Sequence, residues 1–228
     1  QAIELSNLYP NNHHFIRSIK PKNERKEIYA AGAILSSIRR DERVLGVAPK
    51  ITAQVFYNVG AIDLTGIIYG IDVEAENKLF FFSDYVTSGN YIDLKNVPNS
   101  IILGKGAADK MMAAIGDVIQ VTTVKGERIQ LKVVGYFQSG IQEFDKVQSY
   151  ASIGTTQKLL GVSSDYISDI QVKLKNIDAA PVLTKEYAAI YGTDAIDIQT
   201  ANAQFETGSS VRSLISYAVG ITLLIVAG

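Results

Sequence analysis

The side chains that could carry metal or nucleophilic chemistry in this sequence are few. His13 and His14 are adjacent, so on a strand they would point to opposite faces and would not share one metal ion. The chain contains no cysteine, which excludes thiol catalysis, cysteine-ligated zinc and disulfide bonds and leaves the redox compartment undetermined. We therefore expect the two histidines to be a solvated pair, and we predict no metal site and no cofactor.

Phosphate binding and acid–base catalysis also have little support. The segment "LGKGAADK" (103–110) contains G-x-G but lacks the third glycine of G-x-G-x-x-G, and the chain has no Walker A lysine–serine pair. Glu74 and Glu76, like Asp194 and Asp197, have a spacing more typical of solvated faces and helix caps than of a catalytic carboxylate pair. No serine–histidine–aspartate set or zinc-protease motif is present. We predict no catalytic residues and favour a binding or mechanical domain over an enzyme.

Composition is that of a globular protein. Hydrophobic residues make up 47% and charged residues 20% of 228 residues, and the formal net charge is −1. Lysine and arginine are spread along the chain without a basic stripe, and aromatic residues do not alternate with them, which argues against a nucleic-acid partner. The length suits one large domain or two small ones.

The most apolar segment closes the chain. Arg212 is the last charged residue, and the 16 residues from Ser213 to Gly228 carry no charge. Spanning a bilayer takes about 20 residues, and a buried core helix has a similar length. A core helix at the end of a small domain should show a polar stripe, which this segment lacks. We favour the start of a membrane-spanning helix.

Periodicity predicts alternating strands and helices in the first third of the chain. Strands are predicted at 13–21, 47–60 and 61–72, and helices at 24–44 and 74–82. Asn23 is the expected N-cap of the first helix, and Gly46 is expected to close that unit. The second and third strands form a hairpin that turns near Asn58–Gly60. The aromatic run Phe80–Phe82 is expected in the core.

The middle of the chain is predicted to be rich in strands, and the last third repeats the opening pattern. Strands are predicted at 100–104, 117–124, 129–137, 147–153, 167–175 and 195–201, and helices at 105–115, 155–161, 178–192 and from Asn202 onwards. Gly126 builds a tight hairpin turn, Gly116 and Gly192 stop helices, and Thr155 caps one. Strand–helix–strand thus occurs at 13–57 and 167–200, which predicts an α+β module made from both ends of the chain around a β-rich insert.

Four segments resemble, in order, elements of one protein family. They are "YGIDVE" (Tyr69–Glu74), "SIILGKGAADKMMAAIGDVIQV" (Ser100–Val121), "IQLKVVGYFQSGIQEFD" (Ile129–Asp145) and "FETGSSVRSLISYAVGITLLIVAG" (205–228). The family is the extracytoplasmic domain of MacB/LolC/LolE/FtsX-type ABC transporter permeases. The resemblance covers nearly the whole chain, and the LolC/LolE lipoprotein-releasing permeases are the most similar type.

The resemblance implies a fold and its division. We expect a porter-like βαβ module with an inserted β-rich (Sabre-like) subdomain and a C-terminal helix that enters the membrane. Residues 1–85 and 164–205 would form the porter-like part, 86–163 the insert, and 206–228 the start of transmembrane helix 2. The helix at 202–214 would couple the domain to the membrane. Glycines shared with the family pattern are expected to serve turn geometry; they are Gly70, Gly104, Gly116, Gly135 and Gly140.

The resemblance also implies a function. The domain would lie in the periplasm, attached to the inner membrane, and would transmit cytoplasmic ATP hydrolysis into periplasmic motion for lipoprotein release, while a separate nucleotide-binding subunit or domain hydrolyses ATP. Its partners would be that ABC ATPase, a second permease subunit in a homo- or heterodimer, the membrane, a lipoprotein or other hydrophobic cargo and, in some members, a periplasmic carrier. The alternatives are MacB-like efflux, FtsX-like cell-envelope signalling and, more remotely, a membrane-tethered enzyme.

One departure from the family pattern bears on the carrier, and a second is a mild change in a turn. LolC types carry a long, proline-containing hook in the hairpin of the insert, which recruits the carrier, whereas this hairpin turns within Val124–Arg128. Val73 stands where the family often has proline. The chain therefore resembles a LolE-like subunit, a partner of a hook-bearing subunit, or a permease that does not use that carrier.

Overall fold

The structure is a computed structural model that describes residues 27–59, 62–197 and 200. Its helices are α1 (Ala31–Ile38), α2 (Val73–Phe80), α3 (Asp93–Asn96), α4 (Lys105–Met111), α5 (Gln142–Asp145), α6 (Ile153–Leu160) and α7 (Ala180–Tyr191). Its strands are β1 (Val44–Val59), β2 (Ile62–Ile71), β3 (Val86–Gly89), β4 (Ser100–Gly104), β5 (Val118–Thr123), β6 (Arg128–Phe137), β7 (Gln148–Ser152) and β8 (Asp169–Leu174). Short 3-10 helices occupy Phe82–Tyr85 and Ile177–Ala179.

Six of the strands close into a ring. β1 pairs with β2, and the pairing continues through β7, β4, β6 and β5 back to β1. The β2–β7 and β4–β6 pairs are parallel and the other four are antiparallel. If paired residues are followed once around the ring, the path returns to β2 about ten residues away from the residue where it began. Tilted strands need such a stagger in order to close. β3 and β8 pair with the ring from outside, on β6 and β1.

The interior of the ring is the main core. Because side chains alternate along a strand, every second residue of β1 and β5 points inward, and side chains from all six strands meet in one buried cluster that α4 and α6 also join. Tyr57 is the largest fully buried side chain of that cluster. Its ring lies over Gly66 on β2, where a Cβ atom would come within 2.2 Å of Tyr57 Cε2.

A layer of two helices packs against the N-terminal end of β1. The first residues of β1, Val44–Lys50, pair with β8, and of these only Lys50 also pairs with the ring strand β2. Leu35 and Ile38 of α1 pack there with Val47, and Tyr187 and Tyr191 of α7 join the same cluster. We call α1, α7, β8 and Val44–Lys50 the two-helix layer. It combines residues from the first and last thirds of the chain.

The outer face of the ring is covered by residues 72–98. Phe82, Leu94 and Val73 of this segment pack against Phe137 and Tyr150 on the ring. The ring centroids of Phe82 and Tyr150 lie 4.8 Å apart, and those of Phe137 and Tyr150 lie 4.6 Å apart. This aromatic contact fixes α2 and the 3-10 helix after it on the sheet.

The predicted α+β class and nearly all predicted strands within the described residues are present, but several local expectations are wrong. The first helix begins at Ala31 because the preceding segment is bound elsewhere: Ile28 N donates to Ile167 O at 2.8 Å. Gly46 lies inside β1 at a register shift and does not end the unit. The strand at 13–21 and the cap at Asn23 lie outside the described residues.

The prediction of a strand at 195–201 is wrong for the residues of this range that the structure describes. Residues 195–197 form no strand. The Asp197 carboxylate accepts hydrogen bonds from Thr200 N and Thr200 Oγ1 at 2.9 and 2.8 Å. Such local side-chain bonds compete with strand pairing and are typical of a helix start. The helix predicted from Asn202 lies outside the described residues.

Three smaller expectations also fail. α4 ends at Met111, and its C-cap Met112 takes the left-handed conformation, four residues before the predicted stop at Gly116. Ser152, and not Thr155, caps α6, because its side chain accepts from Thr155 N. Phe82 is buried as predicted, but Phe81 is 59% exposed because it follows α2 in the left-handed conformation.

Strands from both predicted parts of the chain share the ring, since β1 and β2 pair with β5 and β7. The boundaries at residues 86 and 163 stay a prediction. Among the described residues, no helix is long and apolar enough to cross a membrane. The predicted membrane segment at 206–228 lies outside them.

Candidate functional site

The place where the two-helix layer joins the ring is the candidate functional site. β1 contains 16 residues and belongs to both parts. Its first part pairs with β8, and the part from Lys50 onwards pairs with β2. A strand of this length spans about 50 Å. Any displacement of the two-helix layer therefore reaches the ring through a continuous backbone.

The two-helix layer is tied to β1 by a charged network. Arg43 Nε and Nη2 donate to both Asp41 carboxylate oxygens at 3.0 and 2.8 Å, and Arg43 Nη2 also lies 2.8 Å from Glu186 Oε2 on α7. Tyr187 on α7 donates its hydroxyl proton to Asp41 Oδ2 at 2.9 Å. The hydrogen bonds from Arg43 hold the pKa of Asp41 well below its ordinary value. The network joins the turn before β1 to the last described helix.

α2 lies across the junction and contacts both sides. Lys173 on β8 donates from Nζ to the carbonyl oxygen of Leu79 at 2.5 Å, and its ammonium group lies over the rings of Phe80 and Phe81. Leu79 packs so closely on β1 that a Cβ atom at Gly46 would lie 2.5 Å from Leu79 Cδ2. The other end of α2 is capped by Asp72, whose carboxylate accepts from Ala75 N at 3.1 Å.

A half-buried lysine and a buried glutamate lie at this junction. Lys50 is on β1, and its Nζ lies 4.2 Å from the centroid of the Tyr69 ring. Burial lowers the pKa of Lys50, and the charges of Glu76 and Asp169 oppose that effect. Glu76, on α2, is only 7% exposed. Burial raises the pKa of Glu76, whereas the charge of Lys50 lowers it and that of Asp72 raises it further.

Polar groups next to Lys50 are organised around Asp169. Thr52 Oγ1 donates to Asp169 Oδ2 at 2.9 Å, and Ser168 Oγ donates to the same oxygen at 2.6 Å. Thr52 N in turn donates to Ser168 Oγ at 2.8 Å. These bonds stabilise the Asp169 carboxylate where β8 begins, beside the point at which β1 enters the ring.

Two acceptor atoms at the junction lack a donor. Within the described residues, neither Glu76 Oε2 nor Gln171 Oε1 has a hydrogen-bond partner, although both are buried. Gln171 on β8 pairs with Ala48, two residues from Lys50 on β1. Residues two apart on a strand share a face, so both unpaired oxygens lie on the α2 side of the sheet with Lys50.

The two carboxylates of Glu74 and Glu76 lie on different sides of α2. Glu74 is on the exposed side of α2, where it forms a 2.6 Å salt bridge with Lys95, while Glu76 is buried at the junction. Asp197 binds Thr200. Across residues 27–59, 62–197 and 200, no group of three His, Asp or Glu side chains is placed to hold a metal ion. His13 and His14 lie outside this range.

The motif that ends at Asp145 is a structural clamp. Asp145 Oδ1 accepts from Ser139 N at 2.7 Å and from Ser139 Oγ at 2.8 Å, and Ile141 N donates to Ser139 Oγ at 3.0 Å. Gly140 between them has φ 85°, a conformation that glycine adopts without strain. The clamp holds Ile141 on the surface with 47% of its area exposed.

The family glycines divide into two groups. Gly116 and Gly140 have positive φ and serve turn geometry as predicted. Gly70 and Gly135 lie inside strands, and Gly104 is the last residue of β4 and the N-cap of α4. None of the three has positive φ, so their conformation does not require glycine. A Cβ atom there would lie within 2.3 to 2.6 Å of Thr156 Oγ1, Asp145 O or Ser88 O. These three glycines allow neighbouring segments to approach, which is a tertiary requirement.

Apolar side chains are exposed on the two-helix layer and next to the ring of strands. Val182 and Ile190 on α7 are 58% and 67% exposed. Met112, Ile115 and Val118 form a second exposed stretch between α4 and β5. Side chains of this kind are candidates for contact with a partner or with hydrophobic cargo.

The matching family model is described as the MacB-like periplasmic core domain, and it matches residues 6–190. The chain is also 27% identical over 151 residues to the lipoprotein-releasing system transmembrane protein LolC of Neisseria meningitidis serogroup B. That match covers 62% of this chain and 36% of the relative, so the chain spans about a third of the relative's length.

Two solved structures have a similar fold. The periplasmic region of MacB from Actinobacillus actinomycetemcomitans has a TM-score of 0.51 at 17% identity, and the match covers 76% of this chain and 81% of that one. The extracellular domain of the noncanonic ABC-type transporter YknZ from Gram-positive bacteria has a TM-score of 0.52 at 15% identity, and the match covers 71% of this chain and 84% of that one. At these identities the likeness shows the fold alone.

Proposed function

Since this chain belongs to the MacB-like periplasmic core domain family, we propose that it is the part of an ABC transporter permease that moves in the periplasm when ATP is hydrolysed in the cytoplasm. The family match over residues 6–190 is the observation that carries this proposal. The matched residues include the parts of the two-helix layer from both the first and the last third of the chain. An ABC ATPase, a second permease subunit and the inner membrane are the partners that such a role requires.

The junction geometry supports a mechanical role. α1 and α7 come from the first and last thirds of the chain, and the Asp41–Arg43–Glu186–Tyr187 network binds α7 to the turn between α1 and β1. β1 then continues into the ring. A force that enters through either chain end would therefore act on the ring as a whole, with no catalytic step within this domain.

For the cargo, we propose acylated lipoproteins released from the inner membrane. The support is the likeness to a protein named as part of a lipoprotein-releasing system, at 27% identity. Exposed apolar side chains such as Val182 and Ile190 suit contact with acyl chains or with a second permease subunit. The hairpin turn between Thr123 and Arg128 is short, which favours a subunit that leaves recruitment of a carrier to its partner.

The test is a release assay with the full permease and its ATPase in liposomes that carry a triacylated lipoprotein. We expect ATP to drive release of the acylated protein and not of the same protein without acyl chains. The matched control is an ATPase subunit that binds but does not hydrolyse ATP. ATP-driven expulsion of a soluble toxin or peptide without lipoprotein release would support the efflux alternative, and the absence of any ATP-dependent change in the periplasmic domain would contradict the mechanical role.

A further inference from the structure

We propose that Lys50 and Glu76 form a two-position latch between β1 and α2, in which the Lys50 ammonium group moves between the Tyr69 ring and the Glu76 carboxylate. The inference rests on the proposed mechanical function and names the contact that changes inside the domain. In this structure Lys50 is in the first of these positions, because its Nζ lies 4.2 Å from the centroid of the Tyr69 side-chain ring.

Lys50 is placed where such a change would matter. It pairs with Asp169 of β8 on one side and with Ile71 of β2 on the other, so it marks the point at which β1 passes from the two-helix layer into the ring. In the described part of the chain, no carboxylate oxygen lies within salt-bridge distance of its Nζ. Lys50 is half-buried, and an ammonium group at such a place that has only an aromatic partner is incompletely paired.

The second position is defined by the acceptors that lack donors. Glu76 Oε2 is buried without a hydrogen-bond partner among the described residues, and so is Gln171 Oε1 on the same side of the sheet. Glu76 and Lys50 are close enough for each charge to oppose the effect of burial on the other's pKa. An ammonium group on a flexible four-carbon stem supplies three donors, so Lys50 can satisfy Glu76 Oε2 when α2 approaches β1.

The two-helix layer has a direct hold on α2. Lys173 of β8 binds the carbonyl oxygen of Leu79, near the C-terminal end of α2, and Leu79 packs on Gly46 of β1. Glu76 lies between these contacts and the cap at Asp72, and its Oε2 has no hydrogen-bond partner in the described part of the chain. A shift of β8 relative to the ring would therefore pull α2 and change the separation of Glu76 and Lys50.

The test measures the position of α2 in the full permease complex with its ATPase. Because this segment has no native cysteine, spin labels can be placed at Lys78 on α2 and Gln54 on β1, which are both exposed. We expect two label distances whose populations differ between the nucleotide-free and the ATP-trapped complex. We expect Glu76→Gln and Lys50→Met each to change their ratio by about tenfold or more.

The matched control is Glu74→Gln, which removes an exposed carboxylate from the same helix and should leave the ratio as in the wild type. If a single variant does not fold, Lys50→Met/Glu76→Gln removes both charges, and we expect it to fold and to give one distance in both nucleotide states. A single unchanged distance in the wild type, equal effects of Glu76→Gln and Glu74→Gln, or a double variant that still switches would each overturn the latch.

Lipoprotein release, measured on the same samples, separates the two proposals. ATP-driven release with an unchanged α2 distance overturns the latch and leaves the proposed function standing. No ATP-driven release and no change in label distance contradict the proposed function, and the latch with it.

Discussion

The hydroxyl group of Tyr187 lies 2.9 Å from the Asp41 carboxylate, and this hydrogen bond joins two residues that are 146 positions apart in the sequence. Arg43 donates to both oxygens of the same carboxylate and also reaches Glu186, the residue before Tyr187. The bond therefore fastens α7 to the turn that starts β1. It joins a residue from the last third of the chain to one from the first third.

Removing the Tyr187 hydroxyl tests this fastening. Tyr187→Phe keeps the ring packed in the two-helix layer and deletes one hydrogen bond to a charged acceptor. We expect the free energy of unfolding of the purified chain to fall by about 1 kcal/mol and its melting temperature by about 2–4 °C. Tyr191→Phe is the control, because its hydroxyl group donates to the neutral, exposed Ser37 Oγ. An equal or larger loss in Tyr191→Phe would contradict a special role for the bond to Asp41.

The Asp41 carboxylate should make stability depend on pH. Its folded pKa lies below the ordinary value of 3.8, so its contribution is complete above that value and is lost as the pH falls through the folded pKa. We expect the difference in unfolding free energy between wild type and Asp41→Asn to be constant from pH 7 to pH 5 and to shrink below about pH 4. Urea unfolding at a series of pH values measures it. A difference that grows on acidification would show the opposite sign and refute the assignment.

Gly66 should be intolerant of a side chain. Its missing Cβ leaves room for the Tyr57 ring, which is fully buried inside the ring of strands and has nowhere to move. We expect Gly66→Ala to destabilise the chain by about 1–3 kcal/mol through overpacking. Gly154→Ala is the matched control, since nothing lies within 4 Å of a Cβ there and alanine favours the helix it occupies. Thermal unfolding compares the two, and a Gly66→Ala chain as stable as Gly154→Ala would contradict the close packing.

The clamp at Asp145 gives a graded prediction. Asp145→Ala removes both hydrogen bonds from Ser139 and empties a buried site, whereas Ser139→Ala leaves the bond from its backbone N–H in place. We expect a loss of about 2 kcal/mol for Asp145→Ala and about half as much for Ser139→Ala. Chemical unfolding of the two variants gives the order. The reverse order would show that the Ser139 hydroxyl group, bound by Ile141 N, is the main support of the loop.

The strands of the ring were predictable because their alternation is local. Val55 and Tyr57 face the interior of the ring while Gln54 and Phe56 face outward, and this pattern can be read directly in the sequence. The roles of Gly46 and Gly104 could not be predicted, because each is set by a segment distant in sequence, Leu79 for one and the Asp145 carbonyl for the other. A glycine in a sequence signals a turn and a close contact equally well.

The junction itself was missed for a similar reason. Sequence reasoning treated Glu74 and Glu76 as one pair, although Val73, Glu76 and Leu79 share the buried side of α2. Glu76 is three residues from both Val73 and Leu79, and in the sequence this helical spacing was the available sign that Glu76 shares their buried side. Lys50 gave no signal, because its burial follows from the approach of α2 and Tyr69, which no local pattern encodes. The covering of β8 by α7 likewise depends on Asp41 and Tyr187 meeting across most of the chain.

The exposed apolar side chains on α7 give the prediction closest to function. Val182 and Ile190 are more than half exposed and bear no load in the core, so Val182→Ser and Ile190→Ser should leave the melting temperature of the full permease within about 1 °C, as surface substitutions usually do. If this face contacts cargo or the second permease subunit, the double variant should release lipoprotein about tenfold more slowly, the loss expected from roughly 1.4 kcal/mol of contact energy. Val124→Ser, on the hairpin turn and similarly exposed, is the control. Equal rates in the double variant and the control would move the contact surface away from α7, and the stretch from Met112 to Val118 would then be the next apolar surface to substitute.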